Sequence, residues 1–137
     1  MLSVGLLTLV FVFLPNFVGN NLIDLQRTHR ALVYQAHLRE DAARAVADLG
    51  GPKAVLRCGT VMTEGFQVPM LAWTLGVHTV DVQASPLPGE ELPPAPNVIF
   101  QTRAQRKSHL LPVVRAWKEI PYVRVAHVRT FLSLIHI

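Results

Sequence analysis

Residues Leu2 to Val18, LSVGLLTLVFVFLPNFV, contain no charged side chain, and nothing basic precedes them. A run that is apolar on every side needs either lipid or a protein interior around it, and this limits the whole chain. Roughly 20 predominantly apolar residues cross the hydrocarbon core of a bilayer. The run is slightly short of that, so residues 1–19 read as a transmembrane helix remnant whose beginning has been cut off. A secretory signal peptide is the competing reading. It needs a positive n-region and a small-x-small cleavage site, and Pro15-Asn16-Phe17-Val18-Gly19-Asn20 is a poor one. A further reading is a buried helix of a soluble protein, but the apolar residues go all the way round it. The expected location is integral to a membrane, with the lipid bilayer as the first partner. The charged fraction of 16%, against about a quarter in ordinary globular chains, agrees with this.

Asn20-Asn21 can cap a second helical stretch, and Gly50-Gly51-Pro52 stops it. Between them Leu22, Leu25, His29, Leu32, Ala36, Arg39, Ala43 and Val46 recur at helical spacing, and six of these eight are apolar. Residues 20–51 therefore read as an amphipathic connector helix packed on the domain that follows. His29 and His37 lie two turns apart on that helix. Metal ligands on one helix sit four residues apart, so no metal site is expected. Cys58 is the single cysteine and leaves the redox compartment unread. It follows Ala54-Val55-Leu56-Arg57 and reads as a small buried hydrophobe.

Residues 52–131 read as a small α/β domain. Ala54–Met62 is a short apolar run expected as a strand, Thr63-Glu64-Gly65 a turn, and Phe66–Leu75 a short helix with Pro69 in its first turn and Gly76 at its end. Val77–Ala84 alternates and reads as a half-buried strand. Strand, helix, strand over this length is the βαβ unit, which makes parallel neighbours. Ser85–Pro96 holds five prolines and two acids in twelve residues and reads as a loop. Asn97–Thr102 is a further strand, Arg103–Trp117 a helix around Pro112, and Tyr122–Phe131 a last strand with Val123, Val125, His127, Arg129 and Phe131 on one face. The expected fold class is α/β: a transmembrane remnant and a long connector helix, then a small, largely parallel α/β sandwich domain.

The last six residues, 132–137, read LSLIHI. That peptide is what one frame of a widely used transposase sequencing adapter encodes. It is expected to be a non-native tail, with native sequence continuing differently after Phe131 and His136 carrying no role.

Chemistry is sparse. The strand–turn–helix junction Cys58–Gly65 is where an α/β fold can hold phosphate on free backbone N–H groups, and Gly59, Thr60 and Gly65 are its candidate cofactor-binding residues. The junction lacks both G-x-G-x-x-G and G-x-x-x-x-G-K-[ST], so turn geometry is the plainer role and no cofactor is expected. Glu64, His78 and Asp81 could gather at the carboxyl ends of strands, although no motif links them. There is no G-x-S-x-G, and no catalytic residue is assigned. From Asn97 to Phe131 seven Lys/Arg face one acid, Glu119. These charges are spread along the segment as on a solvated face and lack the aromatic interleaving of single-strand binders, so no nucleic-acid partner is expected.

The stretch FVFLPNFVGNNLIDLQRTHRALVYQAHLREDAARAVADLGG followed by AVLRCGTVMTEGFQVPMLAWTLGVHTV resembles the C-terminal end of large polytopic bacterial membrane proteins, many of them glycosyltransferase-like and using lipid-linked sugars. The resemblance implies a non-catalytic accessory domain whose partners are the remaining transmembrane segments of the parent protein. It places that domain outside the cytoplasm, whereas Arg27 and Arg30 beside the span favour a cytoplasmic flank; the outside is preferred. The family's catalytic acid lies in an early loop, so no position here inherits it. The alternative is a membrane-anchored ligand- or nucleotide-binding module, and a third reading is a secreted protein with a signal peptide.

Overall fold

The computed structural model describes the backbone of residues 2–103 and 116–135, and side chains from Asp24 onward except Leu132. One helix, α1, runs unbroken from Leu2 to Asp48, so the expected membrane remnant and connector belong to a single element. The side chains of residues 2–18 are outside the description. Among the described residues no helix is long and apolar enough to cross a membrane. The chain divides into two compact units, Met1–Ala36 and His37–Ile137. The second unit is the α/β domain, and it takes in the last turns of α1.

In those turns Leu38, Asp41, Ala42, Ala45 and Val46 are buried, a helical face at i, i+3, i+4, i+7 and i+8. This corrects the expected face: Ala36, Arg39 and Ala43 point to solvent. Alanines fit either side of a helix, and an aspartate within the true face disguised it. After Gly50 and Gly51, both at positive φ, residues Pro52–Arg57 form α2 where a strand was expected. Pro52 occupies the first helical turn, where its missing N–H costs nothing and its fixed φ favours a helix. The strand β1 begins only at Val61 and ends at Thr63. Helix α3, Val68–Leu75, carries Pro69 in its first turn and closes on Gly76 in the left-handed region, as the sequence implied. Strand β2 is shorter than expected, Val82–Ala84, because Thr79–Asp81 form a 3-10 turn in which the Asp81 carboxylate accepts from the His78 N–H at 3.1 Å.

Strand β3, Val98–Thr102, is buried at every position, as its near-continuous apolar run requires of a strand covered on both faces. The expected helix at Arg103–Trp117 falls mostly outside the described residues. The expected final strand is two: β4, Val123–His127, and β5, Phe131–Ile135. They are joined by a tight turn closed by the Val128 N–H to Phe131 O and the Phe131 N–H to Val128 O. Strand β5 therefore includes residues 132–135 of the tail set apart as non-native. An apolar alternating segment pairs with an open strand edge whatever its origin.

The sheet has the order β2-β1-β3-β5-β4. Its first half is parallel, β2 to β1 to β3. Its second half is antiparallel, β3 to β5 to β4, so the α/β fold has a mixed sheet in place of a largely parallel one. A short turn can join only antiparallel neighbours, and the β4–β5 turn sets that half. Met62, Ile99 and Leu134 stand in one row across three strands, and Trp117 packs on them to form a core cluster. The opposite face carries Val61, Val98, Phe100 and Phe131, each 1% exposed or less.

Candidate functional site

The carboxyl ends of parallel strands are where open α/β sheets place their chemistry, and here that edge holds Thr63, Glu64 and Thr102. Thr63 is the last residue of β1 and Thr102 the last of β3. Glu64, 5% exposed, turns its side chain across to the neighbouring strand. Its Oε1 accepts from the Thr102 N–H at 3.2 Å, and its Oε2 lies 3.2 Å from Thr102 Oγ1 and 3.3 Å from Thr63 Oγ1. Burial pushes the Glu64 carboxyl above its ordinary range, and the hydrogen bonds it accepts only partly offset this.

A threonine hydroxyl has one proton to donate. The Thr63 hydroxyl lies 2.9 Å from Phe100 O, its shorter contact, and a carbonyl can only accept. That one proton is shared between Phe100 O and Glu64 Oε2, the carbonyl contact being the shorter. Glu64 Oε2 thus accepts from the Thr63 and Thr102 hydroxyls, and Oε1 accepts from the Thr102 N–H. The cluster fastens the ends of β1 and β3 through the Glu64 carboxyl. It is closed to solvent, and so acts as a clasp instead of presenting a group to a substrate.

The candidate residues read from the sequence are not brought together. Thr60 immediately precedes β1 and Gly65 follows it by two residues, so they stand at opposite ends of a strand about 10 Å long. At the Thr60 end Asn97 has taken the available donors: its Oδ1 accepts from the Thr60 N–H at 3.0 Å and from the Thr60 hydroxyl at 3.1 Å. Gly59, at φ +118, lies so close that a Cβ there would overlap the Asn97 carboxamide. Glycine is required for this approach. His78 and Asp81 precede β2, which runs parallel to β1 from Val82 beside Val61. They sit at the other end of the sheet from Glu64. Cys58 is exposed, not buried, with its thiol donating to Ala54 O at 3.3 Å. Among the described residues no group of three or more His, Cys, Asp or Glu could hold a metal ion.

A second polar cluster was not visible in the sequence. Asp41 on α1, fully buried, accepts a bidentate pair from Arg129, Nε to Oδ2 at 3.3 Å and Nη2 to Oδ1 at 3.1 Å, and a hydrogen bond from the Thr130 hydroxyl. Burial alone pushes this carboxyl up, but Thr130, Arg129 and the guanidinium charge outweigh it and hold Asp41 below its ordinary range. Arg129 Nη2 also lies 3.1 Å from His37 Nδ1. Only the break in helical periodicity at Asp41 could have signalled a polar contact there. Among known proteins, no family model, curated protein or solved structure matches the chain.

Proposed function

We propose that this chain is a non-catalytic accessory α/β domain, held at a bilayer by the N-terminal part of α1. In this reading it stands at the C-terminal end of a multi-spanning, glycosyltransferase-like membrane protein, on the extracytoplasmic side. The observation that carries the reading is α1 itself. Its charge-free beginning calls for lipid, and its last turns, Leu38 to Val46, are built into the core of the domain. A removable leader would not be continuous with an element the fold needs. Leu25 and Leu32, each 64% exposed, and Val33, 42% exposed, form an uncovered apolar strip on the same helix, which suits packing against further segments of a parent protein.

The polar clusters support the non-catalytic part. Both buried carboxylates are used up in joining elements, Glu64 between β1 and β3 and Asp41 between α1 and the β4–β5 turn. The alternative, a ligand- or nucleotide-binding module, needs Gly59, Thr60 and Gly65 on one turn, and they lie on two.

Alkaline carbonate extraction tests the anchor. The full chain is expected in the membrane pellet, and a chain lacking residues 1–23 in the supernatant. Release of the full chain would overturn the reading.

A further inference from the structure

The connection from β2 to β3 ends in Leu92-Pro93-Pro94-Ala95-Pro96. Proline holds φ near −65°, and a residue that precedes proline is kept out of the helical region. Such a segment favours the polyproline II helix, which has about three residues per turn and no internal hydrogen bonds, so its carbonyls need partners elsewhere. Two of them meet aromatic donors. The Trp117 indole N–H donates to Pro93 O at 3.3 Å, and the Tyr122 hydroxyl donates to Pro96 O at 2.6 Å. Pro93 and Pro96 are one polyproline turn apart. Along the segment Pro93 and Ala95 are half-buried, Pro94 is exposed and Pro96 is buried. Ala95, Ile120 and Tyr122 all pack against the core cluster that contains Trp117. An open recess of about 590 Å³ lies alongside, lined by Leu92, Trp117 and Ile120 among others.

We propose that Trp117, Ile120 and Tyr122 form a polyproline-reading ledge that residues 92–96 occupy in cis. Its ligand in trans is a proline-rich segment of another protein. The ledge grips features common to any P-x-x-P segment: carbonyls one turn apart and flat prolyl faces. Aromatic-lined grooves that read proline-rich segments work in this way. The strap is tethered by a short connection, which gives it an effective concentration on the order of mM. A free ligand must compete with that, so loosening the strap opens the ledge.

The test uses the full chain in detergent with Trp73→Phe, so that Trp117 is the only tryptophan left of the two. Decaproline is titrated against its fluorescence. Pro93→Gly with Pro94→Gly loosens the strap through backbone entropy and leaves Trp117, Ile120 and Tyr122 in place. The loosened chain is expected to bind decaproline at least about tenfold more tightly than its parent. Adding Tyr122→Phe removes one donor and should weaken that binding about fivefold. A folded, loosened chain that gives no response at mM decaproline overturns the proposal, as does an unchanged affinity in Tyr122→Phe. If the loosened chain does not fold, amide exchange at Leu92 and Ala95 in the unaltered chain decides. Faster exchange with mM decaproline supports the ledge, and unchanged exchange overturns it. A concentration-dependent dimer that decaproline cannot dissolve would overturn the assignment to another protein, making a second copy's strap the occupant.

Discussion

Asp41 and Glu64 are both carboxylic acids buried in the domain, yet their surroundings shift their pKa values in opposite directions. Asp41 meets a guanidinium in bidentate geometry and a threonine hydroxyl, and these hold it ionised against the cost of burial. Glu64 meets two threonines and a backbone N–H, with no cation among its hydrogen-bond partners. Desolvation then prevails, and the carboxyl is pushed above its ordinary range. Burial by itself does not decide whether an acid is charged. What decides is whether a full opposite charge is present, since neutral donors recover only part of the lost hydration.

Removing the cation should break the comparison most severely. Arg129→Met leaves Asp41 buried with only Thr130 to compensate it, and breaking a pair from one side in this way costs about 3 kcal/mol. Urea unfolding at pH 7 measures it. The acid side should move as well. A depressed folded pKa contributes stability above the unfolded value of about 3.9, which is lost as pH falls through the folded one. In Arg129→Met that loss should begin at higher pH. An acid limb identical to that of the unaltered chain would show that Arg129, whose side chain is 54% exposed, is too hydrated to hold Asp41.

Asp41→Asn should cost less, about 1–2 kcal/mol, because the amide oxygen still accepts from Thr130 and the arginine left behind can reach water. Combined with Arg129→Met it completes a double-mutant cycle. The double variant should be closer to Asp41→Asn than the sum of the two single effects, with a coupling of about 1 kcal/mol or more. Strict additivity would mean that the two side chains touch without sharing energy.

How far this was legible in the sequence follows from the range of the signals. Strand β3 was evident because three of its five buried positions, Val98-Ile99-Phe100, form a local apolar run. Helix α3 was evident because Pro69 and Gly76 mark its two ends. Helix α2 is hidden because Ala54-Val55-Leu56 is apolar enough for a strand, and Pro52 marks the start of one helix as well as the stop of another. The β4–β5 turn was hidden because Val123, Val125, His127, Arg129 and Phe131 keep strict alternation through the point where the chain reverses. The polar clusters were out of reach for another reason. Asp41 and Arg129 are 88 residues apart, and Glu64 and Thr102 are 38. Periodicity reports which face a residue is on and not which residue meets it across the fold. The proline-rich stretch read simply as a loop, since nothing local reveals that Trp117 and Tyr122 reach its carbonyls.

Glu64→Gln sharpens the comparison through a difference in sign. A raised folded pKa means that above the unfolded value of about 4.3 the unfolded chain releases a proton that the folded chain keeps, so stability falls as pH rises towards the folded value. This is the reverse of Asp41. The amide carries no such proton. Stability of the unaltered chain minus that of Glu64→Gln should therefore decline from about pH 4.3 upward and then level off. A difference that rises with pH would mean that Glu64 is ionised in the fold.

Thr102→Val is expected to have the smallest effect and reports on which donors matter. It removes the hydroxyl that donates to Oε2 but keeps the backbone N–H that donates to Oε1. One neutral hydrogen bond is lost, about 1 kcal/mol, and the apolar methyl packs in its place. If Glu64 is neutral, the cost should be nearly the same at pH 4 and pH 7, since a neutral acid needs the hydroxyl equally at both. If Glu64 is charged at pH 7, the lost bond is charge-assisted and roughly twice as strong there, so the cost should grow as pH rises. A flat cost and a declining Glu64→Gln difference would then agree on one protonation state by independent routes.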